Sequence, residues 1–200
     1  SCGPNLDRAK VLLRNLHYPQ GVAVAADGRQ LWFTERWKHR VSRVAVDGSS
    51  SAAQLVVRNM PGYPARLSRA SRGGFWLSIF AQRTHLTEFV LREDEFREEM
   101  MRTIPPTFWV GPALATTGHC CEPMQFGSIK ALGIQKPWAP PRSYGLLARI
   151  DEDGDFTDSL HSRVGGHYHG ITAACDTGQG LVIVSKGSGR VLLDRMGGRA

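Results

Sequence analysis

Two imidazoles two residues apart, His167 and His169, flank Tyr168 and are the side chains in this 200-residue chain best suited to chemistry. On an extended strand, residues i and i+2 share a face. The pair therefore reads as a metal pair or as a general acid–base couple working near neutral pH. The plainer alternative packs one ring beside Tyr168 at a rim and leaves the other solvated. Glu35 closes an aromatic-rich segment and either faces a ligand or pairs with Arg36 or Arg40. Asp151, Asp153 and Asp155 alternate around Gly154, but a calcium loop of the EF-hand type needs a further Glu and flanking helices. An acidic hairpin tip is expected there. Cys120 and Cys121 adjoin His119 and Glu122, and a disulfide between sequence neighbours is strained. With Cys2 and Cys175 they form no C-x-x-C pair or finger spacing, so reduced thiols are expected. There is no G-x-S-x-G elbow, Walker loop or H-E-x-x-H, so those hydrolase, nucleotide-enzyme and zincin mechanisms have no support.

The composition is that of a globular protein, with 42% hydrophobic and 22% charged residues and a formal net charge of +7. The arginines are scattered around residues 36–43, 66–72 and 190–199 and form no basic stripe, so no nucleic-acid partner is expected. An anionic ligand or acidic partner fits better. No segment approaches a membrane span. Ser1-Cys2-Gly3-Pro4 lacks a basic region followed by an apolar stretch, so it does not read as a signal peptide.

An internal repeat must position the candidate residues. Residues 21–34 read as a short apolar strand, the Asp27-Gly28 turn, and an aromatic strand; further strands follow at 40–46 and 54–58. A second unit places strands at 65–68 and 75–80 around Gly73-Gly74. A third, starting at His169, places them at 170–174, 181–185 and 190–194. The first two turns are about 45 residues apart, the period of a four-stranded propeller blade. Between the second and third units, residues 84–104 read as one helix. Leu86, Phe89, Val90 and Phe96 lie mainly on one side, Glu93–Arg97 and Glu98–Arg102 are i,i+4 pairs, and Pro105-Pro106 stops it. A Gly- and Pro-rich stretch runs on to Pro140-Pro141, with strands resuming at 144–150 and 156–161.

Several segments resemble the strictosidine-synthase-like and gluconolactonase-like β-propellers. Tyr18-Pro19-Gln20-Gly21-Val22-Ala23, Asp27-Gly28 and the run from Thr34 to Val41 are similar to that group's N-G-V…D-G and E-T-x-x-h-R-I segments. Met60-Pro61-Gly62-Tyr63-Pro64 resembles L-P-G-x-P-D-N, and Gly73-Gly74-Phe75-Trp76-Leu77 resembles G-G-x-W-v. The resemblance implies an all-β fold, a partial six-bladed β-propeller of three to four blades, with a helical and loop insertion at about 84–141. It makes residues 1–200 a single domain, the C-terminal part of the ring. Missing blades or self-association are then expected, because an open ring exposes sheet edges.

In such propellers, residues just before each innermost strand point at ligand. The implied catalytic residues are His169 and His167, with His169 where strictosidine synthase carries its catalytic Glu. The implied substrate-binding residues are Gln20, Glu35, Tyr63, Arg66 and Tyr168. Relatives typically carry Asn at Gln20 and Asp-Asn at Ala65-Arg66, and these are hard oxygen donors suited to Ca2+. Here Ala65 offers no donor and Arg66 brings a repelling charge, which works against the calcium ion that the resemblance implies. The expected function is action on a small organic ligand at the channel mouth: ester or lactone hydrolysis, or related C–N chemistry. A non-catalytic ligand- or protein-binding propeller is the alternative.

Overall fold

Every turn signal in the repeat closes a hairpin. In the computed structural model, which describes residues 10–50, 52–106, 109–111, 130–131, 134–135, 144–162, 167–177 and 179–195, Gly28 turns the chain at φ 71° between β1 (Pro19–Val24) and β2 (Gln30–Glu35). The Asp27 carboxylate accepts the Arg29 N–H at 2.8 Å and fixes that turn. A single 3-10 turn, Arg36–Lys38, leads into β3 (Arg40–Ala45), and β4 (Gln54–Val57) completes an antiparallel sheet in chain order.

The second sheet begins with β5 (Gly62–Arg69) and β6 (Phe75–Gln82), joined through Gly73 and Gly74 at positive φ. The chain then leaves the sheet. Helices α1 (His85–Arg92) and α2 (Asp94–Thr103) follow, then the short strands β7 (Lys130–Ala131) and β8 (Ile134–Gln135). It returns with β9 (Gly145–Ile150), which pairs directly with β6, and β10 (Phe156–Ser162) on the outside. The excursion therefore lies within one blade, between its second and third strands, and not between two repeat units.

The expected single helix is two. Glu93 leaves helical geometry at φ −92°, ψ 89°, and Arg97 folds back to donate to the Val90 and Leu91 carbonyls at the end of α1. Arg97 pairs with Asp94 at 2.5 Å instead of with Glu93. The side-chain oxygen of Thr84 caps α1 by accepting the Thr87 N–H. The break also splits the expected apolar face. Val90 is buried, whereas Phe89 and Phe96 meet edge to face with their ring centroids 5.4 Å apart and remain exposed.

β11 (Ile171–Thr177), β12 (Gly180–Ser185) and β13 (Arg190–Asp194) form the third sheet. The architecture is all-β, three successive propeller blades whose first strands β1, β5 and β11 run side by side. The middle blade is buried on both faces because β6 alternates between two cores. Phe75, Leu77 and Ile79 pack with Trp32, Val41 and Met60 of the first blade, and Trp76 packs with Leu147, Ile171, Leu181 and Ile183. Asp176 on β11 ties the third blade to the second by accepting the Ser71 N–H at 2.8 Å and the Trp76 indole N–H at 3.1 Å. At the β9–β10 tip, Asp151 accepts the N–H groups of Asp153 and Asp155, so its carboxylate serves the turn.

Candidate functional site

The first strands of the first two blades, β1 and β5, meet at a close backbone contact. A methyl group on Gly21 would fall on the Ala65 carbonyl oxygen and close to the Leu67 nitrogen, so only glycine lets β1 approach β5 this nearly. Thr34, fully buried on β2, clasps the junction: its hydroxyl accepts the Gly21 N–H and donates to the Ala65 carbonyl, both at 2.8 Å. Gln20 and Arg66 flank this contact, which fixes where both side chains stand.

Beside the contact opens a cavity of about 650 Å³. Each of the three first strands contributes to it: Gln20 from β1, Arg66 from β5 and Thr172 from β11. Arg36 and Trp37 of the 3-10 turn, Tyr18, Phe80 and Lys186 complete most of the wall. Tyr18 holds its backbone at φ 54°, a left-handed conformation uncommon for a bulky residue. The Arg36 guanidinium lies over aromatic faces, 4.1 Å from the Phe80 centroid and 4.9 Å from that of Tyr18. Burial lowers the pKa of Arg36. Its Nε, like the Gln20 side-chain oxygen, is buried without a hydrogen-bond partner among the described residues.

His167, Tyr168 and His169 precede β11 and do not lie on it, because the strand starts at Ile171 after Gly170 turns at φ 55°. The shared strand face expected for the two imidazoles is therefore not formed. His167 and Tyr168 are exposed, and Arg190 approaches the Tyr168 ring at 6.0 Å. His169 is half-buried with an unpartnered Nδ1. Its backbone is held by Ser188, whose hydroxyl accepts the His169 N–H, and by Ser185, whose hydroxyl donates to the His169 carbonyl. Burial first, then the nearby His167, lowers the His169 pKa.

Glu35 and Tyr63 do not line the cavity and are held in buried polar contacts. Glu35, 1% exposed, pairs with Arg40 at 2.5 Å and accepts the His17 N–H. Burial opposes its charge, but the Arg40 and His17 hydrogen bonds outweigh this and lower its pKa. Tyr63 is fully buried and donates to Glu88 of α1 at 2.8 Å. Glu88 also meets His39 Nε2 at 2.9 Å and Arg83 at 3.1 Å, so one carboxylate anchors the inserted helix to the blade. Burial pushes the Tyr63 hydroxyl pKa far up. It also opposes the charge of Glu88, yet Tyr63, His39 and Arg83 hold that carboxyl below its ordinary range. Sequence reading missed His39, Arg83 and Glu88, because their partners lie in separate segments. Arg36 and Lys186 were also missed as ligand-facing groups; the only signal was the position of Arg36 inside the Thr34–Val41 motif.

These groups set a pH dependence. Burial lowers the pKa of His39 below its ordinary 6.5, more than the Glu88 carboxylate raises it. Between that lowered value and 6.5 the unfolded chain binds the extra proton, so this contribution is present above pH 6.5 and lost as pH falls through the window. Glu35 and Glu88, held below their ordinary 4.5, contribute stability above that pH and lose it as pH falls through their folded values. The thermal midpoint is therefore expected to fall in two stages on acidification from neutrality. A midpoint that rises between pH 7 and 6 would mean that Glu88 and the Gly62 carbonyl, 3.2 Å from His39 Nδ1, hold the ring as imidazolium.

Among the described residues, no three His, Cys, Asp or Glu side chains are grouped to hold a metal ion. At the mouth the donors do not fit Ca2+. Gln20 offers one carbonyl, Ala65 none, and Arg36, Arg66 and Lys186 are cationic. Cys2, Cys120, Cys121, His119 and Glu122 lie outside the described residues, while Cys175 is a free, exposed thiol. No helix among the described residues is long and apolar enough to cross a membrane.

No family model matches the sequence. Over 155 residues, 74% of the chain, it is 29% identical to Protein STRICTOSIDINE SYNTHASE-LIKE 2 of Arabidopsis thaliana. The chain is related to the strictosidine-synthase-like proteins. It spans about a third of that relative, 35% of its length. Over 70 residues it is 36% identical to the adipocyte plasma membrane-associated protein of Mus musculus, covering 34% of the chain and 17% of that protein. A solved gluconolactonase from Xanthomonas campestris superposes with a TM-score of 0.44 at 19% identity, covering 91% of the chain and 45% of that structure.

Proposed function

We propose that the chain carries the ligand-bearing sector of a propeller that binds a small organic molecule at the channel mouth and hydrolyses an ester or lactone there. The observation that supports this is the convergence of Gln20, Arg66 and Thr172, from three adjacent first strands, on one cavity. The resemblance implies a ligand near the starts of successive first strands. Gln20 and Thr172 stand close to the starts of β1 and β11, with Arg66 further along β5.

In this reading His169 is the general base and His167 its exposed neighbour. The half-buried ring of His169, with Nδ1 unpartnered and its pKa lowered, is kept neutral and able to take a proton from an attacking water near pH 7. The Ser185 and Ser188 hydroxyls fix its backbone. Gln20 and Arg66 line the cavity and orient the carbonyl compound. His167, Tyr168 and His169 do not line it, so the ligand has to extend past Thr172 to reach the His169 ring. Tyr168 borders a separate cavity with His161 and Ile171. Glu35 and Tyr63, proposed from sequence as ligand contacts, act here from outside the cavity wall: Glu35 holds the start of β3 through Arg40, and Tyr63 holds α1 through Glu88.

A non-catalytic binding propeller is the second reading. It is favoured by the cavity wall itself, which offers no carboxylate and carries cations where the resemblance implies acidic ligands. Aryl-ester and lactone hydrolysis by the full chain, with and without added Ca2+, separates the two. Turnover that falls about a hundredfold in His169→Ala supports the base. Binding without turnover in any condition assigns the module to recognition. Turnover that persists in His169→Ala removes His169 from the mechanism, and turnover that requires Ca2+ contradicts the donor argument above.

A further inference from the structure

We propose that the mouth cavity selects an anion: the carboxylate or phosphate of a small molecule with an apolar or aromatic body, in preference to a cationic amine or a neutral compound. This rests on the reading of the cavity as the ligand site.

Three cations from three separate elements line one cavity: Arg36 from the 3-10 turn, Arg66 from β5 and Lys186 just after β12. The salt bridges among the described residues involve Arg40, Arg83, Arg97 and His39, so none of these three has an acidic partner there. Like charges around one cavity repel, and partial exclusion of water strengthens that repulsion. A bound anion relieves it, whereas an ammonium ion worsens it.

The surroundings of Arg36 prepare it for this task. Its guanidinium is held against Phe80 and Tyr18 with the Nε buried and unpartnered, so an N–H is withdrawn from water and has no protein acceptor. A fixed planar fork suits the two oxygens of a carboxylate or phosphate. The buried end of Gln20 is an amide whose oxygen and nitrogen are interchangeable by rotation, so it can turn an N–H toward the same anion. Trp37 and Val184 supply the apolar wall for the rest of the ligand.

Calorimetric titration of the full chain with phenylacetate, phenyl phosphate and neutral phenylacetamide tests this. Both anions are expected to bind at least about tenfold more tightly than the amide, with the difference shrinking as salt is raised. Arg66→Ala and Lys186→Ala, both at exposed side chains, are each expected to weaken the anions about three- to tenfold and leave the amide unchanged. Arg66→Glu is expected to abolish the preference. A tighter phosphate than carboxylate, or the reverse, identifies the head group. Equal binding of acids and amide, or anion binding untouched in the Arg66→Ala/Lys186→Ala protein, overturns the anion assignment while the cavity remains a ligand site. Failure of all three probes to bind removes the cavity from both readings.

Discussion

Gly21→Ala is expected to destabilise the chain by about 3 kcal/mol, although it adds a single methyl group. The added carbon would meet the Ala65 carbonyl and the Leu67 nitrogen, which are backbone atoms of a neighbouring strand and have no rotamer with which to yield. Relief requires β1 and β5 to separate, and separation breaks the two hydrogen bonds of the buried Thr34 hydroxyl. Gln20 and Arg66 stand on either side of this contact, so ligand affinity at the mouth should fall together with stability. Gly28→Ala provides the comparison. Gly28 lies in open space at φ 71°, and only the left-handed backbone resists substitution, at about 1 kcal/mol. Urea unfolding of the two variants measures both values. A Gly21→Ala protein as stable as the Gly28→Ala one would falsify the close approach of the first two blades.

Glu88→Ala is the second large effect, expected at about 3 kcal/mol. One carboxylate, only 16% exposed, serves the Tyr63 hydroxyl, His39 Nε2 and Arg83. Its removal leaves a fully buried phenol without its acceptor and His39, itself at φ 49°, without its main contact. Tyr63→Phe deletes one bond and its donor together, and should cost about 1 kcal/mol. The double variant should cost less than the sum, since the phenol left stranded by the first change is absent in the second. Because Glu88 is the polar anchor of α1, proteolytic cleavage within residues 84–104 should accelerate in Glu88→Ala before global unfolding does. Additive losses, with cleavage unchanged, would show that α1 is held by its apolar contacts alone.

Much of the blade structure was legible in the residues. D-G and G-G turns, period-two apolar segments and a repeat of about 45 residues located the strands of the three blade sheets to within a few residues, though not the short β7–β8 pair. The boundary of the second blade was not legible. Its third strand follows a long excursion, and only the register of β6 with β9, Phe75 opposite Ile150, shows that the two belong together. The helix break at Glu93 was likewise hidden, because a continuous helical periodicity carries no sign that Arg97 will fold back onto the carbonyls of α1.

The local code was written in the residues: where hairpins turn and which residues alternate inward. These depend on backbone preferences and side-chain periodicity, which act over a few residues. The resemblance, not the periodicity, pointed to Gln20 and Arg66 as mouth residues, and Arg66 lies within β5 and not ahead of it. What faces what was settled by the packing of the blades. It set Glu35 against Arg40 and Tyr63 against Glu88, away from the cavity wall. It kept His167 and His169 off the strand they were expected to share, and it brought Arg36, Arg66 and Lys186 to one wall. The physical reason is that charge pairing and burial depend on distances between segments far apart in the chain, and blade packing fixes those distances.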